Sequence, residues 1–120
     1  MRYMMIRRAD KASEAGIKPD PEVFAAMDRY ASEMSEAGVL VTGEGLKPSA
    51  QGTRIRFDNG KPTVVDGPFT ETKELIAGYF IIEVKSKEEA IEWTKRWPAI
   101  GIDANVELEL RPFYEASDFE

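Results

Sequence analysis

Apolar residues recur along the chain with two periodicities, one typical of β-strands and one typical of α-helices. Four runs suit β-strands, because their apolar side chains recur at every second position or occupy both faces. Tyr3 to Arg7 and Ala77 to Lys85 are apolar on both faces, which is typical of central strands covered on both sides. Val39 to Leu46 and Asn105 to Phe113 supply the other two strands.

Two segments show the helical periodicity, and residues typical of helix ends mark their boundaries. Asp20 to Gly38 begins with an N-cap residue and a proline and ends on a glycine. Ser86 to Pro98 begins with the capping-box pattern Ser-Lys-Glu-Glu. Lys11 to Lys18 is polar and contains a glycine, so we predict a loop there. The apolar stripe of the first helix has spacings of four, three and four residues: Val23, Met27, Tyr30 and Met34.

A β-hairpin is predicted between the second and third of these strands. Thr53 to Phe57 alternates apolar residues with arginines, and Pro62 to Val65 supplies the returning strand. Asn59-Gly60 between them is typical of a tight hairpin turn. The hairpin leads directly to Asp66, at the head of an unusual motif.

That motif carries a resemblance to a known family. Asp66-Gly67-Pro68-Phe69 is followed by Thr-Glu-Thr-Lys-Glu and then by the strand sequence Gly-Tyr-Phe-Ile-Ile-Glu. In these features the chain resembles the DGPF-domain branch of the YCII-related proteins, from residue 1 to residue 114. We expect one domain over 1–114 and a frayed acidic tail over 115–120.

The order of elements predicts the fold class. Strand, helix, strand, inserted hairpin, strand, helix and strand form two βαβ halves, which suits a ferredoxin-like α+β sandwich. Both helices must cover one face of the sheet, which leaves the other face open. Since the central strands are apolar on both faces, we expect a homodimer through the open sheet face. The family resemblance implies the same arrangement, a dimeric α/β barrel.

Composition removes several function classes. The 120 residues include no cysteine and no histidine, which excludes thiolate nucleophiles, sulfur metal sites and the commonest general base. The net charge of −6 argues against a nucleic-acid partner. No apolar run approaches the ~20 residues of a membrane span, and no secretory signal is evident, so we expect a cytoplasmic protein.

Asp66 is the leading candidate for chemistry. Partial burial near Phe69 would raise its pKa toward the range useful for a general acid or base. The structural alternative is a turn in which the carboxylate accepts hydrogen bonds from the backbone. Some YCII-related proteins carry a His–Asp pair that is proposed as a catalytic dyad. This chain resembles them at Asp66 but has no histidine, so it cannot form that dyad.

Other residues are weaker candidates. Four residues are candidate contacts to a small anionic ligand: Arg54, Arg56, Arg111 and Phe69. Alternation also places Glu83, Glu107 and Glu109 on the open face. The alternative is that these charged residues form an ion-pair network and bind no ligand. Tyr79 either donates a hydrogen bond to a substrate oxygen or packs in the core. Glu71, Lys73 and Glu74 suit either a carboxylate-held divalent ion or a solvated turn. Trp93 and Trp97 suggest packing.

Two functions follow from these observations. The first is a cofactor-independent enzyme acting on a small anionic metabolite, with Asp66 as acid or base. The second is a noncatalytic module that binds a ligand or a protein. The resemblance implies a link between such modules and extracytoplasmic-function sigma factors.

Overall fold

A four-stranded antiparallel sheet forms the body of the protein in a computed structural model that describes all residues, 1–120. Its strands are β1 (Arg2–Arg8), β2 (Leu40–Gly45), β5 (Ile76–Glu83) and β6 (Leu108–Pro112), in the order β2-β5-β1-β6. The two central strands are therefore β5 and β1, and both were predicted to be central from their two apolar faces. This strand order is that of a ferredoxin-like α+β fold.

Two helices cover one face of the sheet and enclose the core. They are α2 (Pro21–Glu36) and α3 (Lys87–Lys95). The Tyr30 hydroxyl of α2 donates to the backbone oxygen of Trp93 in α3, at 2.6 Å, which ties the helices together. Burial raises the pKa of the Tyr30 phenol, so this hydroxyl stays protonated and remains a donor. The buried cluster comprises Tyr3, Met5, Tyr30, Met34, Val39, Ile82, Val84 and Ala90.

The segment predicted as a loop contains a short helix, α1 (Lys11–Glu14). The Ser13 N–H donates to the Asp10 carboxylate at 2.8 Å, and the Asp10 N–H donates to the Ser13 hydroxyl at 2.9 Å. This reciprocal capping box stabilises a single turn that has no apolar stripe. The loop prediction was therefore wrong at these four residues.

The capping box predicted for α3 forms in part. The Glu89 N–H donates to the Ser86 hydroxyl at 3.1 Å, as expected. The Glu89 carboxylate accepts from the N–H of Lys85 at 3.4 Å rather than from that of Ser86. In α2, Asp20 occupies the N-cap position, but its side chain makes no capping hydrogen bond.

The predicted hairpin is present but separate from the main sheet. Its strands β3 (Thr53–Asp58) and β4 (Lys61–Asp66) pair with each other alone, and every residue from 53 to 66 is exposed. Asn59 and Gly60 have φ of 51° and 83°, the left-handed conformation that a tight Asn-Gly turn requires. We call residues Thr53–Asp66 the hairpin arm.

One face of the sheet lies away from the helices. Partly buried apolar side chains of Met4, Ile6 and Ile81 lie on this open face.

The acidic tail, which was expected to fray, forms a turn of 3-10 helix at Ala116–Phe119. The Glu115 N–H donates to the Asp118 carboxylate at 2.7 Å and stabilises this turn. No helix has both the length and the apolar character that crossing a lipid bilayer requires.

Candidate functional site

A cleft of about 700 Å³ lies between α2, the loop that precedes it and the β2 edge of the sheet. Its volume is within the range of about 300–1,000 Å³ that small-molecule sites occupy. Helix, sheet and loop all contribute to its wall, which brings together side chains distant in sequence. These include Arg7, Phe24, Met27, Ala31, Lys47, Phe80, Trp97 and Asp103.

The polar part of the cleft is centred on a buried ion pair. Arg7 is 9% exposed, and its Nη2 lies 2.8 Å from a carboxylate oxygen of Asp103, which is also buried. Asp10 lies 3.4 Å from the same nitrogen, and Arg7 Nη1 donates to the backbone oxygen of Arg8 at 3.0 Å. A buried charge is tolerated only when it is paired in this way, so Arg7 is held in one position.

Asp10 has an altered acidity as part of this cluster. Partial burial pushes the pKa of Asp10 upward, but hydrogen bonds from Ser13 and the charge of Arg7 outweigh that effect. The pKa of Asp10 is consequently held below its usual value. Asp10 therefore stays ionised at neutral pH and helps to balance the Arg7 charge.

The apolar part of the cleft is an aromatic cluster. Tyr30, Phe80 and Trp97 meet edge to face, with ring centroids 5.8 to 5.9 Å apart. Glycine at position 43 is required here, because a Cβ would overlap the Phe80 ring. The indole Nε1–H of Trp97 is buried and has no acceptor. An unpaired buried donor of this kind costs free energy in the folded chain.

The Asp66-Gly67-Pro68-Phe69 motif supports one rim of this cleft. The Phe69 N–H donates to the Ser49 hydroxyl at 3.0 Å, and a Cβ on Gly67 would overlap the Ser49 carbonyl oxygen. Ser49 is bound in turn by the Glu14 carboxylate, which accepts from both its N–H (2.9 Å) and its hydroxyl. The neighbouring Pro48 lines the cleft, so the motif loop holds this wall in place.

Asp66 itself is exposed in the single chain. The Thr53 hydroxyl donates to its Oδ1 at 3.0 Å across the base of the hairpin arm. The carboxylate accepts no hydrogen bond from the backbone, so the predicted turn around Asp66 is not formed. The partial burial expected near Phe69 is not found in the single chain.

The other predicted residues fall into three places. Tyr79 pairs with Ile6 in the register of β5 and β1, so its side chain lies on the open face, away from the cleft. The Arg54 guanidinium lies over the Phe69 ring, 3.9 Å from its centroid, and Arg56 is exposed further along the arm. Arg111 pairs with Met4 and therefore lies on the open face, at the β6 edge of the sheet, 3.3 Å from Glu109. The prediction that Arg54 and Arg56 share that face was wrong, because the arm forms a separate sheet.

Two smaller predictions also have a place in the structure. Glu71 and Glu74 flank a single 3-10 turn at Thr72–Glu74, which suits the interpretation as a solvated turn. No group of three or more acidic side chains gathers in a way that could hold a metal ion. Trp93 packs under the Arg96 guanidinium at 4.1 Å.

A second pocket, of about 540 Å³, lies at the C-terminal turn beside Arg2 and Arg111. All but two of its nine lining residues are exposed, and none is buried. The cleft is therefore the stronger candidate, because it combines a buried ion pair with an aromatic wall.

Sequence analysis missed the polar centre of the cleft. Arg7 was treated as the end of a strand and Asp103 was not considered. One signal was present: an arginine whose side chain alternates onto the core face of a central strand must find a buried partner. Its partner lies 96 residues away in the chain, which local patterns do not reveal.

Comparisons with known proteins place the chain among relatives. The family model of the YCII-related domain matches residues 1–114. An uncharacterised protein of Rhizobium meliloti (strain 1021) is 32% identical over 76 residues, which cover 63% of this chain. The aligned part spans 61% of the length of that relative.

One solved structure has a similar fold. It is the 5-chloro-2-hydroxyhydroquinone dehydrochlorinase of Burkholderia phenoliruptrix AC1100, in complex with 2,5-dihydroxybenzoquinone. The TM-score is 0.54, with 13% sequence identity and coverage of 98% of both chains. At this identity the likeness concerns the fold alone.

Proposed function

The chain belongs to the YCII-related domain family, and we propose that it is a small-molecule enzyme whose substrate binds in the cleft. The observation that carries this proposal is the cleft itself, which sets the buried Arg7–Asp103 pair beside the rings of Phe80 and Trp97. A concave site with a few polar groups among apolar walls is the usual form of a small-molecule site.

The substrate class follows from the lining of the cleft. Phe80 and Trp97 line the cleft and suit a flat ring. Lys18 and Lys47 supply cationic groups for an anion or an oxygen on that ring, although Asp28 and Glu44 also line the cleft and balance their charge. We therefore propose a small oxygenated or anionic ring compound, a class that includes the 2,5-dihydroxybenzoquinone bound by the dehydrochlorinase of similar fold.

We propose that the reaction is acid–base chemistry without an external cofactor. Tyr79 is left out of this mechanism, because its side chain lies on the open face beside Ile6 rather than in the cleft. Asp66 would exchange the proton; it precedes Gly67, which packs on Ser49 beside the cleft wall. Arg54 and Phe69, stacked on each other at the base of the arm, would contact the anionic substrate, with Arg56 beside them. Arg111, at the far edge, would serve the same role from a second copy.

We also propose that the protein is a homodimer in the cytoplasm, with two open sheet faces meeting as a dimeric α/β barrel. The support is the row of apolar side chains on that face, Met4, Ile6 and Ile81, which no element of the same chain covers fully. Burying them against a second copy would contribute favourable free energy in proportion to the apolar area removed from water.

Ligand titrations test the site. We expect 2,5-dihydroxybenzoquinone or a related hydroxylated benzoate to raise the melting temperature of the wild type and to quench tryptophan fluorescence. Gly45→Leu should abolish both effects, because Gly45 lines the cleft and a side chain there meets no other atom within 4 Å. Val41→Leu is the matched control, since Val41 is exposed on the same strand outside the cleft.

Turnover is tested separately from binding. Asp66→Asn should fold normally and still bind the probe, but conversion of a bound substrate should fall by at least about 100-fold, the usual effect of losing an acid–base group. Binding that survives Gly45→Leu would place the site elsewhere. Unchanged turnover in Asp66→Asn would remove Asp66 from the mechanism and leave it as a turn residue.

One observation favours the second function, a noncatalytic protein-binding module. The hairpin arm exposes Ile55, Phe57 and Val64, and apolar patches of this kind mark interaction surfaces. A module linked to sigma-factor regulation would bind a purified extracytoplasmic-function sigma factor without converting any ring compound. Loss of that binding in Phe57→Lys, with no ligand effect on melting temperature, would support it over the enzyme.

A further inference from the structure

The Arg7–Asp103 pair has two hydrogen-bonding groups that the fold does not use. Arg7 Nη1 donates to the backbone oxygen of Arg8, and Nη2 donates to Asp103 at 2.8 Å and to Asp10 at 3.4 Å. A guanidinium has a donor at each nitrogen, yet the Nε–H of Arg7 donates to no group of the chain. On Asp103, Oδ1 accepts from Arg7 and Oδ2 accepts no hydrogen bond. The pair therefore keeps one free donor and one free acceptor.

Both free groups are open to the cleft. Arg7 and Asp103 are 9% and 6% exposed, and both line the cleft. The one buried side-chain nitrogen or oxygen that is unpaired and also sealed from solvent belongs to Trp97. Arg7 Nε and Asp103 Oδ2 are unpaired but not sealed, so solvent reaches them. Since the rest of each side chain is buried, the cleft is the side from which a ligand reaches these two atoms.

The sheet next to the pair carries no side chains. Alternation from the buried Met5 places Arg7 on the face that the helices cover. Arg7 pairs with Gly78 across β1 and β5, and Gly78 pairs with Gly45 across β5 and β2. A Cβ on Gly45 would meet no other atom within 4 Å, so the space above this floor is open. Phe80 follows Gly78 on the same face, and a flat ring therefore fits between Phe80 and the pair.

Charge decides which kind of ring suits this position. Two carboxylates, those of Asp103 and Asp10, already face the single positive charge of Arg7. A ligand anion would be a third negative group at one guanidinium, and juxtaposed like charges are costly. A neutral group that accepts one hydrogen bond and donates another meets no such cost. Two adjacent hydroxyls on an aromatic ring form such a group, because one donates to the other and leaves a lone pair and an O–H facing outward.

We propose that the Arg7–Asp103 pair recognises two adjacent oxygens on a neutral ring. The Nε–H of Arg7 donates to one oxygen, and the other, a hydroxyl, donates to Asp103 Oδ2. This inference rests on the ligand site of the proposed function and narrows its substrate class to neutral rings with adjacent hydroxyls. Because the fold already holds Arg7 through its other nitrogens, little ordering is needed when the ligand binds. Arg7 and Asp103 are then binding residues that determine specificity.

Three isomers test this specificity on the wild type. Catechol has adjacent hydroxyls, whereas resorcinol and hydroquinone carry the same two hydroxyls further apart on the ring. Isothermal titration would be done under nitrogen, because catechol oxidises in air. We expect the dissociation constant of catechol to be at least about tenfold lower than that of either isomer, the usual effect of one hydrogen bond to a charged group. The anion 2-hydroxybenzoate should also bind more weakly than catechol.

Two variants connect the preference to the pair. Asp103→Asn removes the carboxylate with little change of shape and should reduce the preference for catechol over resorcinol to less than about threefold. Since this change also removes a partner from the buried Arg7 charge, it lowers stability. The double variant Arg7→Met/Asp103→Leu removes both charges together, which such pairs often tolerate, and should lose the preference as well. Asp58→Asn, the same change at an exposed position of the hairpin arm, is the matched control and should keep it.

The outcomes separate this inference from the proposed function. Equal dissociation constants for the three isomers, all raised by Gly45→Leu, would overturn the specificity and leave the ligand site standing. Tighter binding of 2-hydroxybenzoate than of catechol would also overturn it, since Arg7 would then act as a free cation. A preference for catechol that persists in the folded double variant would overturn the role of the pair. A wild type that binds no ring compound would overturn both proposals.

Discussion

Gly43 and Gly45 lie on the same strand, two residues apart, yet their surroundings differ completely. A Cβ at position 43 would overlap the Phe80 ring, whereas a Cβ at position 45 meets nothing within 4 Å. We expect Gly43→Ala to lower the free energy of unfolding by about 1–3 kcal/mol, because Phe80 must leave its rotamer in the aromatic cluster. Gly45→Ala is the matched control and should be nearly neutral. Urea denaturation measures both; equal effects would contradict the packing described for Phe80.

Asp10 gives the stability of the protein a dependence on acidic pH. The pKa of Asp10 is lower in the folded chain than the ordinary aspartate value of 3.8. A carboxylate with a depressed pKa contributes stability that is present above 3.8 and is lost as the pH falls through the folded value. We expect the wild type to be more stable than Asp10→Asn near neutral pH. That difference should vanish as the pH is lowered from about 4 to about 2.

Urea midpoints across this pH range check the Asp10 prediction, and Asp20→Asn serves as the control. Asp20 is also an N-cap residue, but its side chain makes no capping hydrogen bond. A difference between wild type and Asp10→Asn that stayed constant from neutral to acidic pH would show that the Arg7–Asp10 contact has no electrostatic role.

At the scale of elements, Ser49 connects the motif loop to α1 and the cleft wall. Ser49→Ala removes the acceptor for the Phe69 N–H and one donor to Glu14. We expect a loss of about 1–3 kcal/mol in the free energy of unfolding, since one of these bonds involves a carboxylate. Ser32→Ala, on the exposed side of α2, is the control and should stay within about 0.5 kcal/mol. An equal, small effect of both would mean that the motif loop holds its position without Ser49.

Elements were predictable where the sequence carries a local signal. The central strands β1 and β5 are apolar on both faces, α2 has a clear stripe, and Asn59-Gly60 specifies the turn of the arm. α1 was missed because its Asp-Lys-Ala-Ser cap stands beside no apolar stripe. The cleft was missed because its polar pair joins residues 7 and 103, which only the folded sheet brings together. Alternation shows that Arg54 and Arg56 share one face of their strand, but it does not show which sheet that strand joins. We therefore placed them on the main sheet, whereas they belong to the separate sheet of the arm.

At the scale of the whole molecule, the net charge of −6 makes the proposed homodimer sensitive to salt, because two copies of like charge repel each other. Exposed charges are screened over about 10 Å at 0.1 M salt and about 3 Å at 1 M. We expect the dissociation constant of the proposed homodimer to fall several-fold between these two concentrations. Sedimentation velocity measures this directly, and Arg56→Gln, which makes each copy more negative, should strengthen the dependence. A dissociation constant that rises with salt would show that ion pairs between the copies outweigh this repulsion.

The order of strands in the sheet has a consequence for how the chain folds. β1 precedes the other strands in the chain, yet its two neighbours are β5 and β6, so its first partner lies about three fifths of the chain length away. On a ribosome, the apolar strand Tyr3 to Arg7 must wait unpaired until most of the chain has emerged. Pairings of such long range are slow to form, because the intervening chain must first be ordered. Folding of this protein is therefore a late event in its synthesis, and chains that stop before Leu108 leave one edge of β1 open.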